Sequence, residues 1–435
     1  MSILKDLIKQ TEIPEFIPAY QSFADDCITD IPSAVVTALN ESGLSLKLPV
    51  HKEVAIGVGS RGIANLPALV ASTVTWFRCN GCKPFVIPCM GSHGGATGPG
   101  QVKVLADLGI TEETVGCPIR SSMEVVEVGQ LDNGLPVYMD KNAWNADGVF
   151  IINRVKTHTS FSGTHESGLV KMLTIGLGKQ KGANAAHCLG YFQFPTIMPA
   201  MARMVLERKP AILGGLAVVE NALENTCLVE AVTSEKILDR DASLLAYSKT
   251  LMPSLPIQDL DLLIIDRIGK NISGAGMDPN ITGRHGSPAK TGGPNVNRLV
   301  TLGLTEETKG NATGMGNADI IPRSMADGIN FEYTYANVIT STSLSFVRMP
   351  MVLETDEDVL RCGVKTSSVP AHSIRAIRIL DTLHLDKLLI SPAVATELEG
   401  NERIRIVGEQ APLHFNSEGK LDRDIWRQVF PNSEL

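Results

Sequence analysis

The sequence predicts an α/β protein of two domains, with parallel or mixed sheets, flanking helices and an active-site cleft between the domains. Three observations predict it. Apolar β-type runs recur at residues 54–58, 85–89, 148–152 and 260–265. Helix-like patterns such as 66–77 and 102–108 fall between runs, and this alternation marks parallel strands joined by helical crossovers. A strand, a Gly-rich turn and a helix follow one another twice, over 57–66 and 91–102, which puts both turns at strand carboxyl ends, where α/β folds bind ligands.

Taken in order, the first residues, Met1-Ser2-Ile3-Leu4-Lys5-Asp6, are broken by charge too often for a signal peptide, so a cytoplasmic location is expected. The longest apolar run, 210–219 with its two glycines, is about half of what a bilayer-spanning helix needs, so no membrane span is expected. Met252-Pro253-Ser254-Leu255-Pro256 interrupts helical continuation just before the run at 260–265. It divides the chain into residues 1–255, the cofactor-anchoring and catalytic domain, and 256–435, a second α/β domain. Residues 270–313, rich in Gly, Asn, Pro and Thr, are expected to form a lid or cleft wall. The aromatic patch from Ile425-Trp426 to Phe430 is expected to dock as a short helix.

The 435 residues carry a formal charge of −8, which disfavours a nucleic-acid or anionic-membrane partner. Eight scattered cysteines read as reduced thiols. The pair Cys79-Asn80-Gly81-Cys82 lacks the further ligands of a zinc site and is expected to be a plain thiol pair at a helix end.

Gly57-Val58-Gly59-Ser60-Arg61-Gly62 matches the dinucleotide fingerprint in form. The acidic residue that should follow the next strand to hold the ribose is replaced by Met90-Gly91-Ser92-His93. A tight turn or another anion site is the better reading, with Arg61 able to fork a carboxylate or phosphate. Gly176-Leu177-Gly178-Lys179-Gln180 is not a triphosphate loop, because no Ser or Thr follows the lysine to hold magnesium. Its glycines still allow a cradle for one phosphate at a helix start. The chemistry-bearing set is a combination: His93 and His158 in separate post-strand turns, Lys171 in a Gly-flanked apolar context, and His187 beyond it. Imidazoles suit proton transfer to or from a hydroxyl, and a neutral imidazole also ligates nickel or zinc. The part played by His165 is left open.

With these residues on the page, the chain resembles the nickel-pincer lactate racemase family. The resemblance is concentrated between Gly57 and His187. It implies a racemase or epimerase of a 2-hydroxy acid, using a nickel-pincer nucleotide, a pyridinium-3,5-bisthiocarboxylic acid mononucleotide of nickel, covalently attached at Lys171. It implies His93 and His158 as the catalytic acid/base pair, His187 as the nickel ligand, and Ser60, Gly62 and Ser167 as further cofactor contacts. It implies Arg61 as the carboxylate clamp, with Lys270 and Asn271 as substrate contacts from the second domain. The implied reaction takes the hydroxyl proton on a histidine while the carbon-bound hydrogen leaves as hydride. Cofactor-assembly enzymes are the implied partners, beside the small hydroxy acid, and an oligomer is compatible with the reading. The turn Gly57-Val58-Gly59-Ser60 lacks the aspartate that lactate-specific members carry before the arginine, which points to a larger or more polar acid, such as a sugar acid. Two alternatives stay open: an NAD-dependent hydroxyacid oxidoreductase, and a nucleotide- or anion-binding protein without turnover.

Overall fold

The computed structural model describes residues 3–430 apart from Val50 and Arg61, and leaves out the side chain of Thr340. The chain forms two compact bodies. One is Ala24–Met252; the other joins the described residues up to Phe23 to those from Pro253 onward. The division at Met252 falls on the Pro-flanked segment, but the first residues do not belong to the first body, as the 1–255 domain required. The reason is strand pairing. Strand β1 (Ile17–Gln21) hydrogen-bonds antiparallel to β14 (Lys387–Ile390) on one edge and to β15 (Ile404–Ile406) on the other.

In the body Ala24–Met252, strands β2 (Glu53–Val58), β3 (Lys83–Pro88), β6 (Gly148–Arg154), β7 (Ile212–Glu220) and β8 (Thr226–Thr233) make a mixed sheet in the order β3-β2-β6-β7-β8. The first four are parallel and β8 runs antiparallel to β7. The longest apolar run of the sequence becomes β7, buried along its whole length, as expected of a strand covered on both faces. Helices Leu66–Cys79 and Ile31–Glu41 cover one face through Leu69, Val70, Phe77, Val35 and Leu39, which pack with Val54, Ile56 and Phe150. A two-stranded ribbon, β4 (Val125–Gln130) with β5 (Pro136–Asp140), stands apart from the sheet. Cys79 ends its helix exposed, Cys82 is buried, and both are free thiols.

The second body holds a mixed sheet in the order β12-β11-β10-β9-β13-β14-β1-β15, with β9 (Asp259–Ile265), β10 (Asn295–Thr301), β11 (Ile320–Pro322), β12 (Met351–Leu353) and β13 (Ala376–Ile379) all parallel. Residues 270–313 are not simply a lid. They contain β10, which lies inside the sheet between β9 and β11, with Leu299 and Val300 fully buried. Their Asn, Thr and Gly content serves a densely hydrogen-bonded loop before that strand. Ile425–Val429 is a short helix, with Trp426 buried. No helix among the described residues is long and apolar enough to cross a membrane.

Candidate active site

In the body Ala24–Met252 the chain goes from β2 to β3 on one side and returns to β6 and β7 on the other, so the strand order reverses beside β2. A doubly wound sheet opens a crevice at such a point, outside the strand carboxyl ends. A cleft of about 150 Å³ lies there. Gly59, Ser60 and Gly62 line it after β2, Cys89, Met90 and His93 after β3, and Asn153, Arg154 and Lys156 at the end of β6. Ser167, Lys171 and Met172 also line it, and none of its described lining residues is acidic.

The His93 turn is held from beneath. Ser60 and His93 share a hydrogen bond of 2.5 Å between Oγ and Nδ1. Buried Gln101 donates from Nε2 to the carbonyls of Gly91 (3.0 Å) and His93 (3.3 Å). Its own Oε1 accepts from Lys179 Nζ at 2.8 Å. Lys179 is fully buried, donates also to the Pro88 carbonyl and pairs with Asp140 at 3.2 Å. The Gly176–Gln180 segment is therefore no phosphate cradle; its lysine is a bolt under the His93 turn. Thr97 then caps the helix Gly98–Asp107 by accepting from Gly100 N. Gly100 must be glycine, because a Cβ there would lie 1.9 Å from the Gly94 carbonyl oxygen.

Lys171 sits on a helix Leu169–Lys171 that passes into a π-helical turn, Met172–Gly176. Such turns are rare and recur at functional sites. The helix start is capped by a residue 72 positions downstream: Asp241 Oδ1 accepts from Leu169 N at 2.6 Å. Asp241 Oδ2 bonds His165 Nδ1 at 3.0 Å, which gives His165 a structural part in this cap. Gly168 is confined by the same carboxylate, since a Cβ on it would lie 2.1 Å from Asp241 Oδ1. Asn153 Nδ2 donates to the Gly168 carbonyl, and Lys156 and Ser167 pair through their backbones, so the end of β6 is tied to the helix carrying Lys171.

His158 and His187 do not line the cleft; both rings stand against Tyr191, at centroid distances of 6.0 and 5.4 Å. His158 Nδ1 accepts from Ser160 N at 3.0 Å, so the neutral ring carries its proton on Nε2. Buried Glu166 shapes the loop by accepting from His158 N at 2.7 Å and from Lys249 Nζ at 2.8 Å. His187 Nδ1 is buried without a hydrogen-bond partner. Burial first, and the Lys171 charge second, lower its pKa from 6.5 to about 4. Both effects favour the neutral ring.

That shift has a consequence for stability. Between 6.5 and about 4 the unfolded chain binds a proton at His187 that the folded chain refuses, so stability falls as pH drops through this window. The loss is complete below about 4 and amounts to roughly 2 kcal/mol after allowance for partial solvent access. His187→Gln should flatten this part of the urea-stability profile between about pH 7 and about pH 4.5; an unchanged slope would disprove the assignment.

Arg61 lies outside the described residues. Lys270 and Asn271 belong to the other body. Lys270 Nζ donates to the Gly274 carbonyl and to Asn337 Oδ1, while Asn271 Oδ1 accepts from Thr305 Oγ1 at 2.7 Å. The site therefore gathers Ser60, Gly62, His93, Ser167 and Lys171 in one cleft, with His187 within electrostatic reach of Lys171. Residues that motif reading did not single out are Gln101, Asp140, Asp241 and Asn153. Among the described residues, no group of three or more His, Cys, Asp and Glu side chains is placed to hold a metal ion.

No family model matches the chain, and no curated protein matches it. Solved structures do match. A Thermotoga maritima protein from a structural genomics programme aligns with a TM-score of 0.47 at 13% identity, over 75% of this chain and 84% of that one. The lactate racemase apoprotein from Thermoanaerobacterium thermosaccharolyticum aligns with a TM-score of 0.43 at 14% identity, over 90% of this chain and 97% of that one.

Proposed function

We propose that the chain is a racemase or epimerase of 2-hydroxy acids that works with a nickel-pincer nucleotide tethered to Lys171. The observation that carries this reading is the pairing of Lys171, on the cleft wall, with His187, whose buried Nδ1 has no partner and whose ring is kept neutral by burial and by the Lys171 charge. The donor set fits the group. A bare metal ion would need several protein ligands, and none are clustered among the described residues, whereas a metal that arrives with its own pincer needs one neutral imidazole. The cationic, acid-free lining suits a mononucleotide phosphate and a carboxylate substrate.

When bound, the pyridinium ring supplies a hydride acceptor. The chain's own residues do the rest. Lys171 fixes the group by its amine, and the cap from Asp241 fixes the helix that presents Lys171. In the tautomer in which His93 Nδ1–H donates to Ser60 Oγ, Nε2 is the nitrogen that would take a hydroxyl proton. We assign His158, whose neutral ring carries its proton on Nε2, as the group that returns a proton to the oxygen. A base and an acid of this kind exchange roles when the other enantiomer enters. Arg61 is the cation we assign to the carboxylate; Lys156 and Arg154 add positive charge to the cleft, Arg154 being paired with buried Glu220.

The test is to make the protein alongside the cofactor-assembly enzymes, measure intact mass and nickel, map any adduct by digestion, and follow D- and L-hydroxy acids by chiral chromatography. An adduct on Lys171, stoichiometric nickel and isomerisation without net redox are expected. No adduct and no nickel, with a loaded family control carrying both, would overturn the reading. Stoichiometric NADH would instead establish the oxidoreductase, and ligand binding without turnover the binding protein.

A further inference from the structure

We propose that Arg267, braced by Asp381 and His384, forms an oxyanion-binding site in the second body, for a carboxylate or a phosphate group. Three observations lead there. The sheet of this body also reverses: the chain goes from β9 through β10, β11 and β12 on one side, then returns to β13 on the other. Arg267 follows β9 and Asp381 follows β13, so both stand at the carboxyl ends where the order switches, the place where open α/β sheets bind ligands.

Asp381, fully buried, is the hub. Its Oδ1 accepts from Leu383 N (2.9 Å) and His384 N (3.2 Å), which a local turn accounts for. A turn does not account for the two side chains that also converge on it, His384 Nδ1 at 2.7 Å and Arg267 Nε at 2.9 Å. Each is held by its inner nitrogen. Arg267 then presents the two terminal nitrogens of its guanidinium fork, while a neutral His384, having given its Nδ1 hydrogen to Asp381, has a lone pair on Nε2 and serves to brace the carboxylate. Those outer atoms make no hydrogen bond among the described residues, and the side chains are 34% and 37% exposed. A guanidinium held at Nε with its fork open is the geometry that takes a carboxylate or phosphate in bidentate fashion.

The neighbouring residues rule themselves out by contrast. Lys270 and Asn271, the sequence's candidates for contact with an anionic substrate, are spent on the Gly274 carbonyl, Asn337 and Thr305. Arg267, paired only through Nε among the described residues, keeps its terminal nitrogens for a ligand.

The proposal stands whether or not Lys171 carries a cofactor, and its test keeps the two apart. Full-length protein made without the assembly enzymes is titrated calorimetrically with inorganic phosphate and, separately, with D- and L-lactate. Saturable binding of at least one is expected, weakened roughly tenfold or more by Arg267→Gln and less by His384→Gln. Arg267→Lys, which keeps the charge and loses the fork, should fall between, and serves if the glutamine variant does not fold. Phosphate alone binding would identify a phosphorylated ligand, and lactate alone a hydroxy acid. No binding of any of the three, or wild-type affinity in both Arg267 variants, would overturn the site.

Discussion

Lys171→Arg, loaded under the same conditions as the wild type, is expected to lose hydroxy-acid isomerisation by about a thousandfold or more, equivalent to ~4 kcal/mol of transition-state stabilisation. The guanidinium keeps the positive charge and much of the length, so the cleft keeps its electrostatic character. What it cannot do is carry an amine-derived covalent bond to the cofactor. Lys171 lines the cleft and is only half-buried, so the substitution leaves the core untouched and circular dichroism should match the wild type. His187 supplies a second readout. Because the Lys171 charge contributes to its lowered pKa, Lys171→Ala should raise the His187 pKa, measured by histidine NMR, while arginine should leave it near its starting value. A fully active Lys171→Arg protein would refute the tether.

The largest loss of stability is expected from Lys179→Met. The ammonium is wholly buried, paired with an equally buried Asp140 at 3.2 Å and bonded to the Pro88 carbonyl and Gln101 Oε1. Removing it leaves the Asp140 charge without its cation, an arrangement that costs about 3–5 kcal/mol. Asp140 Oδ1 still accepts from Asn142 N and Ala143 N, so the carboxylate keeps part of its support. Adding Asp140→Asn should therefore recover some stability, which a double-mutant cycle by urea unfolding would reveal as coupling. A single variant within about 1 kcal/mol of the wild type would show that the pair is not what holds this region. Activity should fall too, because Gln101 loses the donor that fixes it under the carbonyls of Gly91 and His93.

Much of this was legible in the chain because the signals were local. The runs at 54–58, 85–89, 148–152 and 260–265 became strands β2, β3, β6 and β9, and the Gly-rich turns after the first two carry Ser60 and His93 into one cleft. What stayed hidden depends on partners far apart in sequence. Asp241 lies mid-helix with no motif around it, and only the fold brings its carboxylate to Leu169. Lys179 sits in a Gly-Leu-Gly-Lys string that resembles an anion loop, and burial against Asp140 decides otherwise. The polar stretch at 270–313 disguised β10, because Asn295, Asn297 and Arg298 dilute an apolar pattern that parallel strands usually show undiluted. The β1 pairing was invisible for the same reason: its partners lie more than 360 residues downstream.

The left-handed backbone of Lys179, at φ 53°, sets the geometry between the amine and the imidazole. Sixteen residues of unbroken α-helix would span about 24 Å and would put Lys171 and His187 on nearly opposite sides of one rod. The chain instead makes a widened turn at Met172–Gly176, bends at Lys179 and starts a second helix that ends on His187. The joint between these two arms is bolted to the sheet through the Lys179 side chain. Distance along the sequence is thus a poor guide to this site, and chain length between the arms is a tightly held dimension. Inserting or deleting one residue here would swing the imidazole by about 100° around its helix and away from the amine.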